Sequence, residues 1–243
     1  MNSIHKNDFD LLNRQGLNMQ AVFDLSALPE DIVAAISQEI DDVGRFSQLI
    51  LIGHGGQDMW EQVQQTHLGA EEHPIDVFSA DMVRRFFAKA MPDASYEIIF
   101  PGLERIVPLQ RLGELAGWHH ASPFRVGING LWGSWFAYRA VILADTNLQT
   151  TKPWAQTSPC DPCKTKTCLT SCHVADHECG DIPIQSCIDY RLRDDSRCKE
   201  QCHSRLACPV GMEHRYSSEQ VNYHYALSMK TIEDYDAGNK RQE

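Results

Sequence analysis

The first 159 residues of this chain contain no cysteine, although the full sequence of 243 residues contains nine. All nine lie between Cys160 and Cys208. No disulfide can therefore form within the first 159 residues. Because nine is an odd number, a complete disulfide framework in the later segment would also leave one thiol unpaired. The chain thus divides into a cysteine-free body and a short segment in which thiols are concentrated.

Long apolar runs and a positive net charge are also absent. No stretch approaches the 18 or more apolar residues of a membrane span, and residues 1–10 lack the basic and apolar regions of a secretory signal. We therefore expect a cytoplasmic protein with no membrane partner. The net charge of −11 argues against nucleic acid as a partner. In the cytoplasm disulfides are rare, so clustered cysteines more often bind metal or carry out redox chemistry.

The body has enough apolar residues for a core and alternates helical with strand-like patterns. Isoleucines at four-residue spacing predict an amphipathic helix over 29–42, and short apolar runs bounded by turn residues predict strands. This alternation indicates an α/β fold, or an α+β sandwich. The predicted helices are 29–42, Met59 onward, 74–90 and 109–116, and the predicted strands are 46–52, 96–100 and 135–143.

Changes in composition predict four regions along the chain. Residues 1–150 form the α/β body with a possible cofactor cleft, and residues 151–159 form a polar linker with two prolines. Residues 160–212 form a ferredoxin-like, cysteine-rich segment, and residues 213–243 form a polar C-terminal tail. The cysteine-rich segment has too few large apolar residues to build much core, so thiolate–metal bonds would have to support its fold.

The cysteines form two groups of four with iron–sulfur-like spacing. Bacterial ferredoxins use the run C-x2-C-x2-C-x3-C-P, whose last cysteine ligates the other cluster. Here the first run is Cys160-x2-Cys163-x4-Cys168-x3-Cys172, and Pro209 follows the last cysteine of the second run. The order is kept while some gaps are longer. The second run contains Cys187, Cys198, Cys202 and Cys208.

If the usual crossing holds, the cysteines provide two sets of ligands for one or two 4Fe-4S clusters. The alternative is a zinc site that combines cysteines with His173, His177 or His203. Disulfides or free thiols are a third interpretation. The first predicted set is Cys160, Cys163, Cys168 and Cys208; the second is Cys172, Cys187, Cys198 and Cys202; Cys179 is left over.

Short motifs carry a resemblance to a known family. Residues 112–118 (Leu-Gly-Glu-Leu-Ala-Gly-Trp) and 133–135 (Gly-Ser-Trp) precede the cysteines, and this order resembles epoxyqueuosine reductases. Residues 131–139, followed by 214–220 (His-Arg-Tyr-Ser-Ser-Glu-Gln), are similar to the cobalamin-processing protein that decyanates vitamin B12. The resemblance implies a cobalamin-binding α/β domain followed by two 4Fe-4S clusters.

One position departs from the epoxyqueuosine reductase pattern. The resemblance implies a proton-donating Asp three positions before a Pro, but here the Pro is Pro108 and the corresponding residue is Arg105. A guanidinium does not donate a proton at neutral pH, so epoxyqueuosine reduction itself is not expected. Glu104 is a neighbouring carboxylic acid, although nothing in the sequence singles it out.

Several other residues in the body have both functional and structural interpretations. His54 in a Gly-His-Gly-Gly turn is a candidate axial ligand or proton donor, although an ordinary turn histidine is the more common case. The other candidates are aromatic or charged residues that would line a pocket or belong to the core or surface: Trp118, His119, His120, Arg125, Trp132, Trp135 and Arg139.

Together these patterns favour an iron–sulfur protein that takes single electrons from an electron-donor protein and passes them to a centre in the body. The centre would hold a corrinoid or flavin, or a small-molecule substrate. One alternative is a non-catalytic ferredoxin-like carrier or assembly partner without a corrinoid. The other is a zinc-stabilised interaction protein.

Overall fold

A four-stranded antiparallel sheet forms the centre of the body. The computed structural model describes residues 9–66, 71–102 and 105–239. The strands are β1 (Met19–Asp24), β2 (Gln48–Gly55), β3 (Tyr96–Phe100) and β4 (Phe136–Ala144). Their order is β1-β2-β4-β3, and each neighbouring pair is antiparallel. The fold therefore mixes helices with an antiparallel sheet, which agrees with the predicted α+β body.

The two central strands are buried along most of their length. Leu49, Ile50, Leu51 and Ile52 in β2 have no exposed surface, and Val141 in β4 is equally buried. An uninterrupted apolar run of this kind suits a strand that is covered on both faces. The strands predicted at 46–52 and 135–143 are therefore confirmed as β2 and β4. Their observed ends differ from the predicted ends by one to three residues.

Helices of the body pack beside this sheet. Helix α4 begins with Pro74, whose fixed φ suits the first turn, and it buries Phe78, Met82 and Phe86 at four-residue spacing. Helix α2 is shorter than predicted and ends at Ser37, because acidic residues follow where the helix dipole disfavours them. The helices are α1 (Asp10–Arg14), α2 (Glu30–Ser37), α3 (Asp58–Gln64), α4 (Pro74–Ala90) and α5 (Leu109–Leu115).

The chain folds into two units that alternate along the sequence. The first contains the described residues up to His119 together with Phe136–Gln156. The second contains His120–Trp135 and the described residues from Thr157 onward. Changes in composition along the sequence predicted that residues 120–135 belong to the body. In the structure they group with the cysteine-rich segment. Backbone hydrogen bonds between His120 and Ile128, 3.0 Å in each direction, close this segment into a loop.

The second unit is built from short helices and irregular chain around a small core. Its helices are α6 (Thr167–Thr170), α7 (Ile184–Leu192), α8 (His203–Ala207) and α9 (Ser218–Asn239). One buried cluster combines Phe124, Ile128, Leu169 and Ile182 with the thiols of Cys168 and Cys208. Two cysteines are therefore part of the core itself.

Helix α9 occupies most of the region that the sequence indicated as a polar tail. Ser217 caps the helix, since its Oγ accepts a hydrogen bond from the backbone N–H of Gln220 at 3.1 Å. Only a few apolar residues face inward, among them Val221 and Met229, so the sequence lacks the apolar stripe that usually predicts a helix. Throughout the described ranges, no helix is both long and apolar enough to cross a membrane.

We expect Gly133→Ala to lower the free energy of unfolding by about 1–3 kcal/mol more than Gly180→Ala, the range typical of overpacking. Both glycines have positive φ, 59° and 68°, so both substitutions add the strain of a left-handed side chain. Only at Gly133 would the new methyl group overlap the carbonyl oxygen of Val210; at Gly180 no atom lies within 4 Å. Urea unfolding followed by circular dichroism measures both variants, and equal losses would contradict the prediction.

Candidate functional site

The first thiol group forms where two short helices meet. Cys160 and Cys163 lie in the turn before α6, Cys168 lies within α6, and Cys208 immediately follows α8. The Thr167 hydroxyl donates a hydrogen bond to the carbonyl of Ala207 at 2.8 Å and so ties α6 to the end of α8. This contact brings the distant Cys208 beside the other three.

The thiols of this group influence one another. Burial is the main cause that raises the pKa of Cys160 and of Cys168, and the neighbouring Cys208 raises both further. Burial likewise raises the pKa of Cys208, and the nearby Cys163 adds to that shift. Cys163 differs, because a hydrogen bond from the backbone N–H of Lys166 lowers its pKa. The electrostatic interactions thus connect the four residues that spacing assigned to one ligand set.

The second thiol group surrounds a cavity of about 300 Å³. Cys172 follows α6, Cys187 lies in α7, Cys198 lies in the loop after it, and Cys202 precedes the first residue of α8. All four line the cavity. Burial is the main cause that raises the pKa of Cys187 and of Cys198, and for both of them Cys202 is the next cause. The structure thus brings together the four residues of the second predicted set.

The cavity wall is aromatic and cationic, and no Asp or Glu is among its lining residues. Two arginines of the wall are buried: Arg191 is 7 % exposed and Arg205 is 9 % exposed. Neither was singled out from the sequence, since nothing in the local pattern of α7 or α8 distinguishes a buried arginine from a surface one. The other polar and aromatic lining residues include His173, Tyr190, His203, His224 and Tyr225.

Neither thiol group is arranged around a single point. Within the ranges that the structure describes, no three His, Cys, Asp or Glu side chains form a group that could hold one metal ion. A 4Fe-4S cluster does not need such convergence, because each of its four thiolates binds a different iron. A single zinc ion would require four ligands at about 2.0–2.3 Å from one centre.

Cys179 lies apart from both groups. It is exposed in a loop where the Asp176 carboxylate accepts hydrogen bonds from the backbone N–H groups of Glu178 and Cys179, each at 2.9 Å. A side-chain hydrogen bond with Asp176 raises the pKa of the Cys179 thiol. Neither thiol group therefore includes the ninth cysteine, which spacing had also left over.

In the body, His54 forms a buried contact with an arginine. It is fully buried at the end of β2, and its Nδ1 accepts a hydrogen bond from Nε of Arg139 at 2.9 Å. Because the guanidinium is always protonated, the acceptor nitrogen carries no proton, and a neutral ring then carries its proton on Nε2. The pair is a structural contact of the sheet, and it also occupies Arg139.

Arg105, the residue at the expected proton-donor position, forms an ion pair. Its Nη1 lies 2.8 Å from Oε1 of Glu97, and Nη2 of Arg45 lies 2.5 Å from the other oxygen. Glu97 is therefore held between two guanidinium groups. Glu104, the alternative donor, lies outside the described residues.

Most of the remaining candidates of the body and the 120–135 segment have side-chain partners, while for His120 the contacts are backbone hydrogen bonds with Ile128. Arg125 forms an ion pair with Asp181. Nδ1 of His119 lies 3.1 Å from the hydroxyl of Tyr138, whose pKa is raised mainly by burial. The tryptophans pack against other rings: Trp118 against Trp154, Trp132 against His214, and Trp135 against Tyr216.

The fold is one that solved reductases share. No protein-family model matches the sequence, and no curated protein matches it in sequence. Among solved structures, an epoxyqueuosine reductase with a tRNA-Tyr epoxyqueuosine-modified stem loop is similar, with a TM-score of 0.56 and 12 % identity over 89 % of this chain and 68 % of that one. The resemblance to this superfamily, which the sequence motifs indicated, is therefore confirmed at the level of fold.

Two further solved structures are also similar in fold at low sequence identity. The epoxyqueuosine reductase of Bacillus subtilis has a TM-score of 0.53 and 13 % identity, over 86 % of this chain and 66 % of that one. A catabolic reductive dehalogenase in complex with 3-bromo-4-hydroxybenzoic acid has a TM-score of 0.51 and 14 % identity, over 90 % of this chain but 33 % of that one. This chain thus spans about two thirds of the length of the epoxyqueuosine reductases and one third of the dehalogenase.

In the metal-free protein, we expect iodoacetamide to label Cys163 faster than Cys168 or Cys208. Cys163 is the thiol whose pKa is lowered, whereas burial raises the pKa of the other two, which are 7 % and 6 % exposed. The thiolate is the reactive form, so both exposure and pKa favour Cys163. Peptide mass spectrometry after timed labelling gives the order; equal rates at the three sites would contradict this description of the first group.

Proposed function

We propose that this chain is an iron–sulfur protein with two 4Fe-4S clusters and the electron-transfer role of a reductase. The first cluster would be held by Cys160, Cys163, Cys168 and Cys208. The second would be held by Cys172, Cys187, Cys198 and Cys202. This is the ferredoxin-like arrangement of ligands, in which each cluster takes three cysteines from one stretch and one from a distant stretch.

The observation that carries the proposal is the cavity at the second group. Four thiols that lie after α6, in α7, in the loop that follows it and before α8 face one space of about 300 Å³, large enough for more than a single ion. All four of these cysteines are free thiols, so none of them is paired in a disulfide. The donor set, four thiolates and no carboxylate, is the set that iron–sulfur clusters use.

The first group fits a cluster for a similar reason. Its four thiols interact electrostatically, and Lys166 donates a hydrogen bond from Nζ to the carbonyl of Cys160 at 2.8 Å. This contact places a positive charge beside thiolates that would otherwise repel one another. The tie between Thr167 and Ala207 keeps Cys208 in reach of the other three.

When bound, the clusters supply one-electron transfer. An electron-donor protein would deliver electrons singly, and two transfers would reduce a substrate by two electrons. The residues of this chain hold the clusters, keep them partly out of water and set their surrounding charge. The substrate class follows from the fold only as an analogy to the reductases with the same fold.

Two residues of the body bear on epoxyqueuosine reduction and on corrinoid binding. At the expected donor position this chain has Arg105, which is bound to Glu97, so the proton required for that reaction has no source there. Nδ1 of His54 accepts a hydrogen bond from Nε of Arg139 at 2.9 Å, and the histidine is fully buried. Neither His54 nor Arg105 is therefore assigned to a corrinoid, and corrinoid binding stays a prediction.

The deciding experiment is metal analysis of protein purified without oxygen. We expect about eight irons and eight acid-labile sulfides per chain, the content of two 4Fe-4S clusters. Zinc without sulfide would instead support the zinc-stabilised interaction protein. Corrinoid measured on the same sample separates a reductase from a carrier that lacks this cofactor. A colourless protein that takes up no iron on reconstitution would contradict the proposal.

Cysteine substitutions test the assignment of ligands. Cys202→Ala and Cys163→Ala should each remove about half of the iron, because each affects a different cluster. The matched control is Cys179→Ala, since this exposed cysteine lies outside both groups and its loss should leave the iron content unchanged. Iron and sulfide are quantified for each variant. Full iron content in Cys202→Ala, or a loss in Cys179→Ala, would show that the assignment is wrong.

A further inference from the structure

We infer that Arg191 and Arg205 are built-in countercharges for the second cluster and raise its reduction potential. The inference rests on the proposed function, because it concerns the cluster held by the second thiol group. It adds a role for two residues that are not ligands. Each would act through its charge, as a residue that tunes the cluster without binding it.

Arg191 is buried among neutral acceptors. Its Nε donates to the carbonyl of Cys198 at 3.0 Å, and Nη1 donates to the hydroxyl of Ser228 at 2.8 Å. Nη2 donates to the carbonyl of Tyr225 at 3.4 Å, and the guanidinium lies 5.2 Å from the centre of that ring. These contacts fix the group at the wall of the cavity, directly beside one of the four cysteines.

Arg205 is held in a comparable way. Its Nη2 donates to the carbonyl of Ser134 at 2.6 Å, and the guanidinium lies between two rings, 4.4 Å from Trp135 and 5.0 Å from Tyr216. Stacking between aromatic rings orients the group without neutralising it. Arg205 lines the cavity together with its neighbour Ser204, so it places a second fixed positive charge at the cavity wall.

Neither arginine forms an ion pair with a carboxylate anywhere in the described ranges, in contrast to Arg193, which pairs with Asp195 at 2.9 Å. A buried cation without an anion is costly, and such charges are normally paired or compensated. The wall of the cavity contains two buried cations, four thiols and no Asp or Glu. The missing negative charge is therefore expected inside the cavity.

A 4Fe-4S cluster with four thiolate ligands supplies that charge. Arg191 lies directly beside one of these ligands, since its Nε donates to the carbonyl of Cys198 at 3.0 Å. Reduction adds one further negative charge to the cluster, so a nearby fixed cation stabilises the reduced form more than the oxidised form. The potential of the second cluster should therefore fall when either positive charge is removed.

The test is a redox titration of the oxygen-free holoprotein with dithionite, followed by electron paramagnetic resonance. In Arg191→Gln, we expect one of the two clusters to become at least tenfold harder to reduce, which is about 59 mV for one electron. The other cluster should keep its potential. Arg191→Lys retains the positive charge and should stay within threefold of the unsubstituted protein. Arg193→Gln is the matched control, because it removes an exposed, paired arginine two residues away.

The outcomes separate this inference from the proposed function. If the unsubstituted protein holds no iron and sulfide, both fail together. If it holds two clusters and Arg191→Gln shifts neither, or if Arg193→Gln shifts one equally, only the inference is overturned. If Arg191→Gln loses half of the iron while Arg191→Lys keeps the full iron content, the role of Arg191 as a countercharge is supported. Should Arg191→Gln not fold, Arg205→Gln is titrated in the same way, and an unchanged potential there overturns the inference.

Discussion

The second unit depends on the burial of thiols where a domain of this size would normally place apolar side chains. Its small core includes Cys168 and Cys208 alongside a few aliphatic and aromatic residues. Such a core leaves little apolar surface to offset the chain entropy of ordering the irregular segments. If the proposed clusters are bound, their bonds to the thiolates would add stability and would couple folding to cofactor binding.

Short helices are sufficient to build the site because contacts with the rest of the unit hold them in place. Helices α6 and α8 contain four and five residues, too few to be stable alone. Each one is tied to its surroundings instead, α6 through Thr167 and α8 through Arg205, whose guanidinium holds Ser134. The two thiol groups share these helices, so a change at one group reaches the other through a single turn of chain.

The sequence predicted which cysteines lie together, but it did not predict the buried arginines beside them. Cysteine spacing is local and chemically specific, so the sequence predicted which cysteines lie together, and it also predicted strand 96–100 and helix α4. Helix α9 was missed because its apolar residues are too sparse to show a period, and β1 was missed because a run of six residues is too short for its pattern to distinguish a strand from a helix. The burial of Arg191 could not be predicted, because it results from tertiary packing rather than from any local pattern.

The segment of residues 120–135 has a consequence for how this molecule is assembled. The chain leaves the sheet unit after His119, returns at Phe136 and leaves again after Gln156, so the units are interleaved in sequence. A C-terminal fragment that begins in the linker would lack the loop closed by His120 and Ile128. An N-terminal fragment that ends before this loop would lack β4. The thiol-bearing part is thus not one continuous segment: during synthesis the sheet unit is complete at Gln156, whereas the second unit begins at His120 and is completed only after the whole sheet unit has been made.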